Sequence, residues 1–168
     1  MKKFSILQVE DEENDVLLMQ VAFRESGIMH PLFSARDGQE AIDYLAGNGK
    51  FADRDRFPPP CLMFLDLKLP RKMGLDVIRW VRSQPSLQTL IVIVFSSSPQ
   101  PDDINSVYRA GANSFLVKPS GLNELITMLE AFKAYWLVYN QPPTECADAF
   151  EASGPATSRA GLHAASRG

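Results

Sequence analysis

Cysteine and histidine are scarce in this chain, with two of each in 168 residues. Cys61 and Cys146 stand far apart, which excludes a disulfide framework and a zinc cluster. Positive charge shows no surplus. A net charge of −3 argues against a dedicated binder of nucleic acid or of an anionic membrane. No apolar run approaches the roughly 20 residues of a membrane-spanning helix. At the start, MKKFSILQVEDE reaches acid too soon to form the apolar region of a signal peptide. No repeat with a period of 20–50 residues is visible. These absences predict a soluble, reduced, cytoplasmic protein without membrane or nucleic-acid contacts.

What is present divides near residue 140. From 141 to 168, 16 of 28 residues are Ala, Gly, Ser or Pro, and Pro142-Pro143 stops any incoming helix. Such a stretch cannot bury enough apolar surface to offset its ordering entropy. The expectation is one domain over 1–140 and a low-complexity, disordered tail over 141–168, too short to fold an output domain.

Within 1–140, short apolar runs alternate with helical patterns. Strand candidates are Phe4–Val9, Leu32–Arg36, Cys61–Leu65, Leu90–Phe95 and Phe115–Val117. Helix candidates are Asn14–Ser26, Gln39–Leu45, Leu75–Arg82, Asp102–Ala110 and a long Leu122–Tyr139. The order is βα five times. The strands are continuously apolar rather than alternating, which implies burial on both faces. That predicts an α/β fold with a doubly wound, five-stranded parallel sheet covered by helices. In such sheets ligands bind beyond the carboxyl ends of the strands, so the chemistry is expected just after Val9, Leu65, Phe95 and Val117.

Those four places hold Glu10-Asp11-Glu12-Glu13-Asn14-Asp15, then Asp66, then Ser96-Ser97-Ser98, then Lys118-Pro119. Carboxylates packed together repel unless a cation intervenes. A few carboxylates plus water and phosphate oxygens suit Mg²⁺. A carboxylate beside such a cation, flanked by Lys118 and Ser96, suits phosphoryl transfer, with Asp66 the nucleophile that forms an acyl phosphate. Each element also has a plainer reading. Acids after a strand favour the start of a helix, and this is the role assigned to Glu12, Glu13 and Asp15. Glu10 and Asp11 remain open between the two roles on this ground alone. Serine runs and Lys-Pro commonly mark loops and turns. The joint occurrence at four strand ends favours the phosphoryl reading.

The motifs ILQVEDE, FLDLKLP, VFSSS and FLVKP resemble those of two-component response-regulator receiver domains over residues 4–139. Asp66 precedes Ser96 by 30 positions and Lys118 by 52, which fits that family. LDLKLPRKMGLDVI and the insert Asn48–Pro60 look like regulators partnered with phytochrome-type histidine kinases. The resemblance implies a flavodoxin-like fold in which Glu10, Asp11, Asp66 and the Lys68 backbone carbonyl hold Mg²⁺. Asp66 would accept a phosphoryl group from a kinase histidine, and Lys118 would contact that group. Ser96 and Phe115 would take the switch positions, and Lys118-Pro119 would take the cis form common in the family. Lys68 departs from the family's more frequent Asn or other polar residue, and its ammonium can reach the phosphate and alter its lifetime. Met73 replaces a common acid, Ser97 is compatible, and Ser96 lacks the methyl that restricts a threonine rotamer.

On this reading the chain is a regulatory phosphoacceptor rather than an enzyme. Its output is a protein contact through 102–110, 115–117 and 122–139, or onward transfer to a histidine phosphotransfer protein. Phe132, Trp136 and Tyr139 share a helical face expected to pack on the sheet. Tyr135 or Leu137 would then face outward and support a homodimer. His30 is expected to be solvated, and 48–60 is expected to be a solvated loop. The rivals are a receiver-like scaffold, a Mg²⁺-dependent aspartyl phosphatase and a nucleotide- or flavin-binding domain. The scaffold needs none of the site residues, the phosphatase wants D-x-D where Asp66-Leu67-Lys68 stands, and the nucleotide domain wants a glycine-rich loop after Val9.

Overall fold

The computed structural model describes residues 4–143. Five strands form one parallel sheet: β1 (Ser5–Val9), β2 (Leu32–Ala35), β3 (Pro60–Leu65), β4 (Ile91–Ser96) and β5 (Ser114–Val117). Their spatial order is β2-β1-β3-β4-β5. Five helices alternate with them: α1 (Glu13–Glu25), α2 (Gly38–Ala46), α3 (Gly74–Ser83), α4 (Pro101–Ala110) and α5 (Leu122–Phe132). This is the doubly wound arrangement expected, and the chain order reverses direction at β1 and β3.

The continuous apolar strands serve two cores because successive side chains point to opposite faces. Ile6, Leu62, Phe64, Ile93 and Phe95 pack with α1 and α5 through Met19, Phe23, Leu125, Leu129 and Phe132. Leu7, Val9, Met63, Leu65, Val92 and Val94 pack with α2, α3 and α4 through Tyr44, Ile78, Val81 and Val107. Gly47 and Gly111 end α2 and α4 in the left-handed region, at φ 72° and 105°, where a Cβ would add strain. No helix among the described residues is long and apolar enough to cross a membrane.

One strand residue breaks the pattern. Gln8 is 2% exposed, and its amide finds no protein hydrogen-bond partner. A buried unpaired amide costs about 1–3 kcal/mol. Gln8→Leu is therefore expected to raise stability by about 1 kcal/mol in urea denaturation, with unchanged denaturant dependence. A loss of stability would show that the amide is satisfied in solution.

Four expectations need correction. The insert is only in part a solvated loop: Lys50, Asp53, Asp55 and Arg56 are exposed as expected, but other residues anchor it. Phe51 is buried, and its ring lies 5.0 Å from Tyr44 and 5.1 Å from Phe57. Arg54 donates to the carbonyls of Tyr44 at 2.7 Å and Leu45 at 2.8 Å. The aromatic residues supply a small core, and the guanidinium satisfies the open carbonyls at the end of α2. His30 is not solvated: it is 8% exposed, stacks against Phe4, and its Nδ1 lies 3.1 Å from the Phe4 N–H.

The final helix changes type. After Phe132 it runs as a π-helix over Lys133–Tyr139, closed by the Asn140 N–H donating to the Tyr135 carbonyl at 2.7 Å. Bonding across five residues winds more widely than an α-turn, so the inward face drifts. Trp136 and Leu137 pack on the core, while Tyr139 is 78% exposed. Leu137 thus leaves the outward face and Tyr139 the inward one; Tyr135 is exposed as expected. Finally, no peptide bond among the described residues is cis, so Lys118-Pro119 is trans. Proline allows both forms at small cost, and the trans form already carries Lys118 to the acids described below. The tail beyond 143, with Cys146 and His163, lies outside the described residues.

Candidate phosphoryl-transfer site

The carboxyl ends of β1, β3, β4 and β5 are joined by their own backbone. The Asp66 N–H donates to the Val9 carbonyl at 3.1 Å, and the Lys118 N–H donates to the Ser96 carbonyl at 3.0 Å. Parallel pairing therefore delivers Glu10, Asp66, Ser96 and Lys118 to one crevice. Glu10, Asp66 and Ser96 are buried, and Asp11 is exposed.

Glu10, Asp11 and Asp66 each bring a carboxylate oxygen within 4.8 Å of the others. Three hard oxygen donors with one open side fit a small divalent cation that keeps part of its water shell. Asp66 is oriented by hydrogen bonds. Its Oδ1 accepts from the Leu67 N–H at 2.6 Å and the Lys68 N–H at 3.4 Å, and its Oδ2 accepts from Lys118 Nζ at 3.1 Å. Glu10 Oε1 accepts from the Glu12 N–H at 3.2 Å. This satisfies a donor at the start of α1, whose N-cap Glu12 makes no side-chain cap of its own.

Lys118 is the cation of the cluster. Its ammonium donates to Glu10 Oε2, to Asp15 Oδ2 at 2.9 Å and to Asp66 Oδ2, and so uses its three N–H groups. Burial alone would lower its pKa, but the bonds to Glu10 and Asp15 and the charge of Asp66 outweigh it and hold Lys118 above its ordinary value. Burial likewise pushes the Glu10 carboxyl above the usual carboxylate range, with Asp66 adding repulsion and Lys118 opposing both.

The other expected residues fall at the margins of the crevice. Ser96 ends β4 and is fully buried. Phe115 is half-buried against the α2–α3–α4 core, and its N–H donates to the Tyr108 hydroxyl at 3.2 Å. The Lys68 side chain is exposed and lines a groove with Met73, Leu75, Asp103 and Ser106. Two residues were missed. Asp15, which the sequence marks only as a helix-start acid, pairs with Lys118; its place in the first turn of α1, five residues after Glu10, is the available signal. Arg71 adopts φ 65° and reaches the α2 cap Asp37 at 3.4 Å. Nothing in the sequence marks that turn as left-handed.

Residues 6–130 match the response regulator receiver domain family. The chain belongs to that family. The receiver is 34% identical over 132 residues to the response regulator Rcp1 of Synechocystis sp., covering 79% of this chain and 88% of that protein. Among solved structures, the phosphorylated cyanobacterial phytochrome response regulator RcpA superposes with a TM-score of 0.77 at 33% identity. That match covers 84% of this chain and 99% of RcpA. The Mn²⁺-bound form of Rcp1 gives 0.75 at 33% identity, over 83% and 99% of the two chains. The receiver is thus a two-component signalling protein of a regulatory family, and its Glu10–Asp11–Asp66 pocket fits a phosphoacceptor site with a divalent cation.

Proposed function

We propose that Asp66 accepts a phosphoryl group from a phosphohistidine of a sensor kinase, with Mg²⁺ held by Glu10, Asp11, Asp66 and the Lys68 carbonyl. The observation carrying this reading is the convergence on Asp66 of two further carboxylates, two backbone N–H groups and the Lys118 ammonium. In the transfer, a carboxylate oxygen of Asp66 supplies the electron pair of the new O–P bond. The P–N bond to the donor breaks, and its pair stays on the imidazole nitrogen. Bound Mg²⁺ would neutralise charge on the phosphoryl oxygens. Lys118 remains protonated and donates to one phosphoryl oxygen, and Ser96 donates to another.

Phosphorylation then draws Ser96 toward the new oxygens and leaves Phe115 room to turn inward, which biases the surface of α4, β5 and α5. Exposed Tyr108, Val117 and Tyr135 make that surface suited to a protein partner, a second copy among them. The kinships with Rcp1 and RcpA support a phytochrome-type kinase as donor, and a cytoplasmic setting follows from such a partner. A histidine phosphotransfer protein is a further acceptor. The receiver-like scaffold is disfavoured, because a scaffold would gain nothing from the buried charge around Lys118.

The test is labelling by a small phosphodonor such as phosphoramidate. Hydroxylamine-sensitive label is expected with Mg²⁺ and is expected to fall to background with EDTA. Equal labelling in both would remove the metal from the reading, and steady release of phosphate from esters would favour the phosphatase.

A further inference from the structure

Of the three carboxylates on Lys118, two have another commitment. Glu10 and Asp66 belong to the oxygen cluster that fits a cation, and Asp15 does not. When a cation and a phosphoryl group occupy the site, Glu10 and Asp66 turn their charge to them. Only Asp15 is then left to pair with the ammonium. Asp15 is also free of the task first assigned to it. It lies in the first turn of α1, but there the Glu12 N–H donates to Glu10 and the Asp15 and Val16 N–H groups donate to the Glu12 carbonyl, while the Asp15 carboxylate is on Lys118 at 2.9 Å. Its side chain is 41% exposed, against 12% for Lys118, so it anchors the ammonium from the solvent rim of the crevice.

We infer that Asp15 is a positioning residue: it holds the Lys118 ammonium within reach of the phosphoryl oxygens once Glu10 and Asp66 release it. A lysine ammonium on four methylenes has much rotamer freedom to lose. With Asp15 as a fixed counter-anion, that freedom is lost before the donor arrives, and the ammonium enters the transfer already aimed. The inference rests on Asp66 as phosphoacceptor and on Lys118 as its cationic partner.

The experiment compares the unaltered protein with Asp15→Asn and Asp15→Ala in two measurements. The first is the labelling rate with phosphoramidate at saturating Mg²⁺. A charge-assisted hydrogen bond of this kind corresponds to about tenfold in rate. Asp15→Ala is expected to label about tenfold more slowly at saturating donor, with the donor's half-saturation concentration little changed. Asp15→Asn is expected to fall between. The second is the ¹⁵N resonance of Lys118 Nζ, assigned by its loss in Lys118→Met. With Mg²⁺ and beryllofluoride bound, this resonance is expected to shift in Asp15→Asn. Labelling of Asp15→Ala within twofold of the unaltered rate, or an Nζ resonance indifferent to Asp15→Asn, would overturn the inference. Failure of the parent reading is separate: the unaltered protein would then take no label, while the Nζ resonance in metal-free protein would still report whether Asp15 pairs with Lys118.

Discussion

Asp66→Asn is expected to take no phosphoryl label from a small donor or from a kinase, under conditions in which the unaltered protein is labelled stoichiometrically. The substitution keeps the shape of the side chain but replaces the oxygen that accepts from Lys118 with an NH2 donor. An asparagine carbonyl oxygen at this place still accepts from the Leu67 and Lys68 N–H groups, and the buried volume is unchanged. What disappears is the anionic oxygen that supplies the electron pair for the O–P bond. Lys118 retains Glu10 and Asp15, so the site stays ordered. Label is expected to fall at least about 10²-fold, the scale on which a nucleophile's removal leaves only background reaction. Stoichiometric, hydroxylamine-sensitive labelling of the variant would place the acceptor elsewhere. Thermal melting near that of the unaltered protein is the accompanying check, and it separates lost chemistry from lost fold.

Gly74→Ala is expected to cost about 3 kcal/mol, at the upper end for overpacking. A methyl group at this position overlaps the Asp66 carbonyl oxygen and comes within 2.9 Å of Leu67 Cα. Both are backbone atoms, so no side-chain rotation relieves the overlap. The Gly74 N–H also donates to the Leu67 carbonyl at 3.0 Å, so the loop cannot move away without losing that bond. The strain falls on the segment that carries Asp66, the proposed phosphoacceptor, and labelling is expected to slow together with stability. Gly121→Ala is the control: open space surrounds that position, and its effect is expected to stay below about 1 kcal/mol. Equal urea midpoints for the two variants would show that the α3 start is not packed against the Asp66 loop in solution.

The sheet, its parallel sense and the site at four strand ends were legible because each rests on a local pattern. Continuous apolar runs report burial on both faces, and the strand-end rule then converts chain position into spatial proximity. Glu10, Asp66, Ser96 and Lys118 follow from that rule without any side-chain geometry. Asp15 did not, because one residue can serve a helix start and a distant ammonium alike, and sequence shows only the nearer duty. The helix over 122–139 was read with one period throughout, and nothing in its residues announces the wider winding after Phe132. The insert misled for a different reason. Its charges, Lys50, Asp53, Asp55 and Arg56, suggest solvent, while two phenylalanines nine residues before and three before Pro60 carry the packing.

The clamp that Arg54 places on the end of α2 has a mechanical consequence. At the other end of that helix, Arg71 holds the Asp37 cap, and the Lys72 backbone lies against Gly38 so closely that a methyl group would not fit. α2 is pinned at both ends. The two edge strands, β2 and β5, are both only partly buried, so it is the fastening of α2 that sets the β2 side apart. A displacement that starts at Asp66 therefore meets, on the β2 side, a helix that cannot slide without breaking the Arg54 and Arg71 contacts.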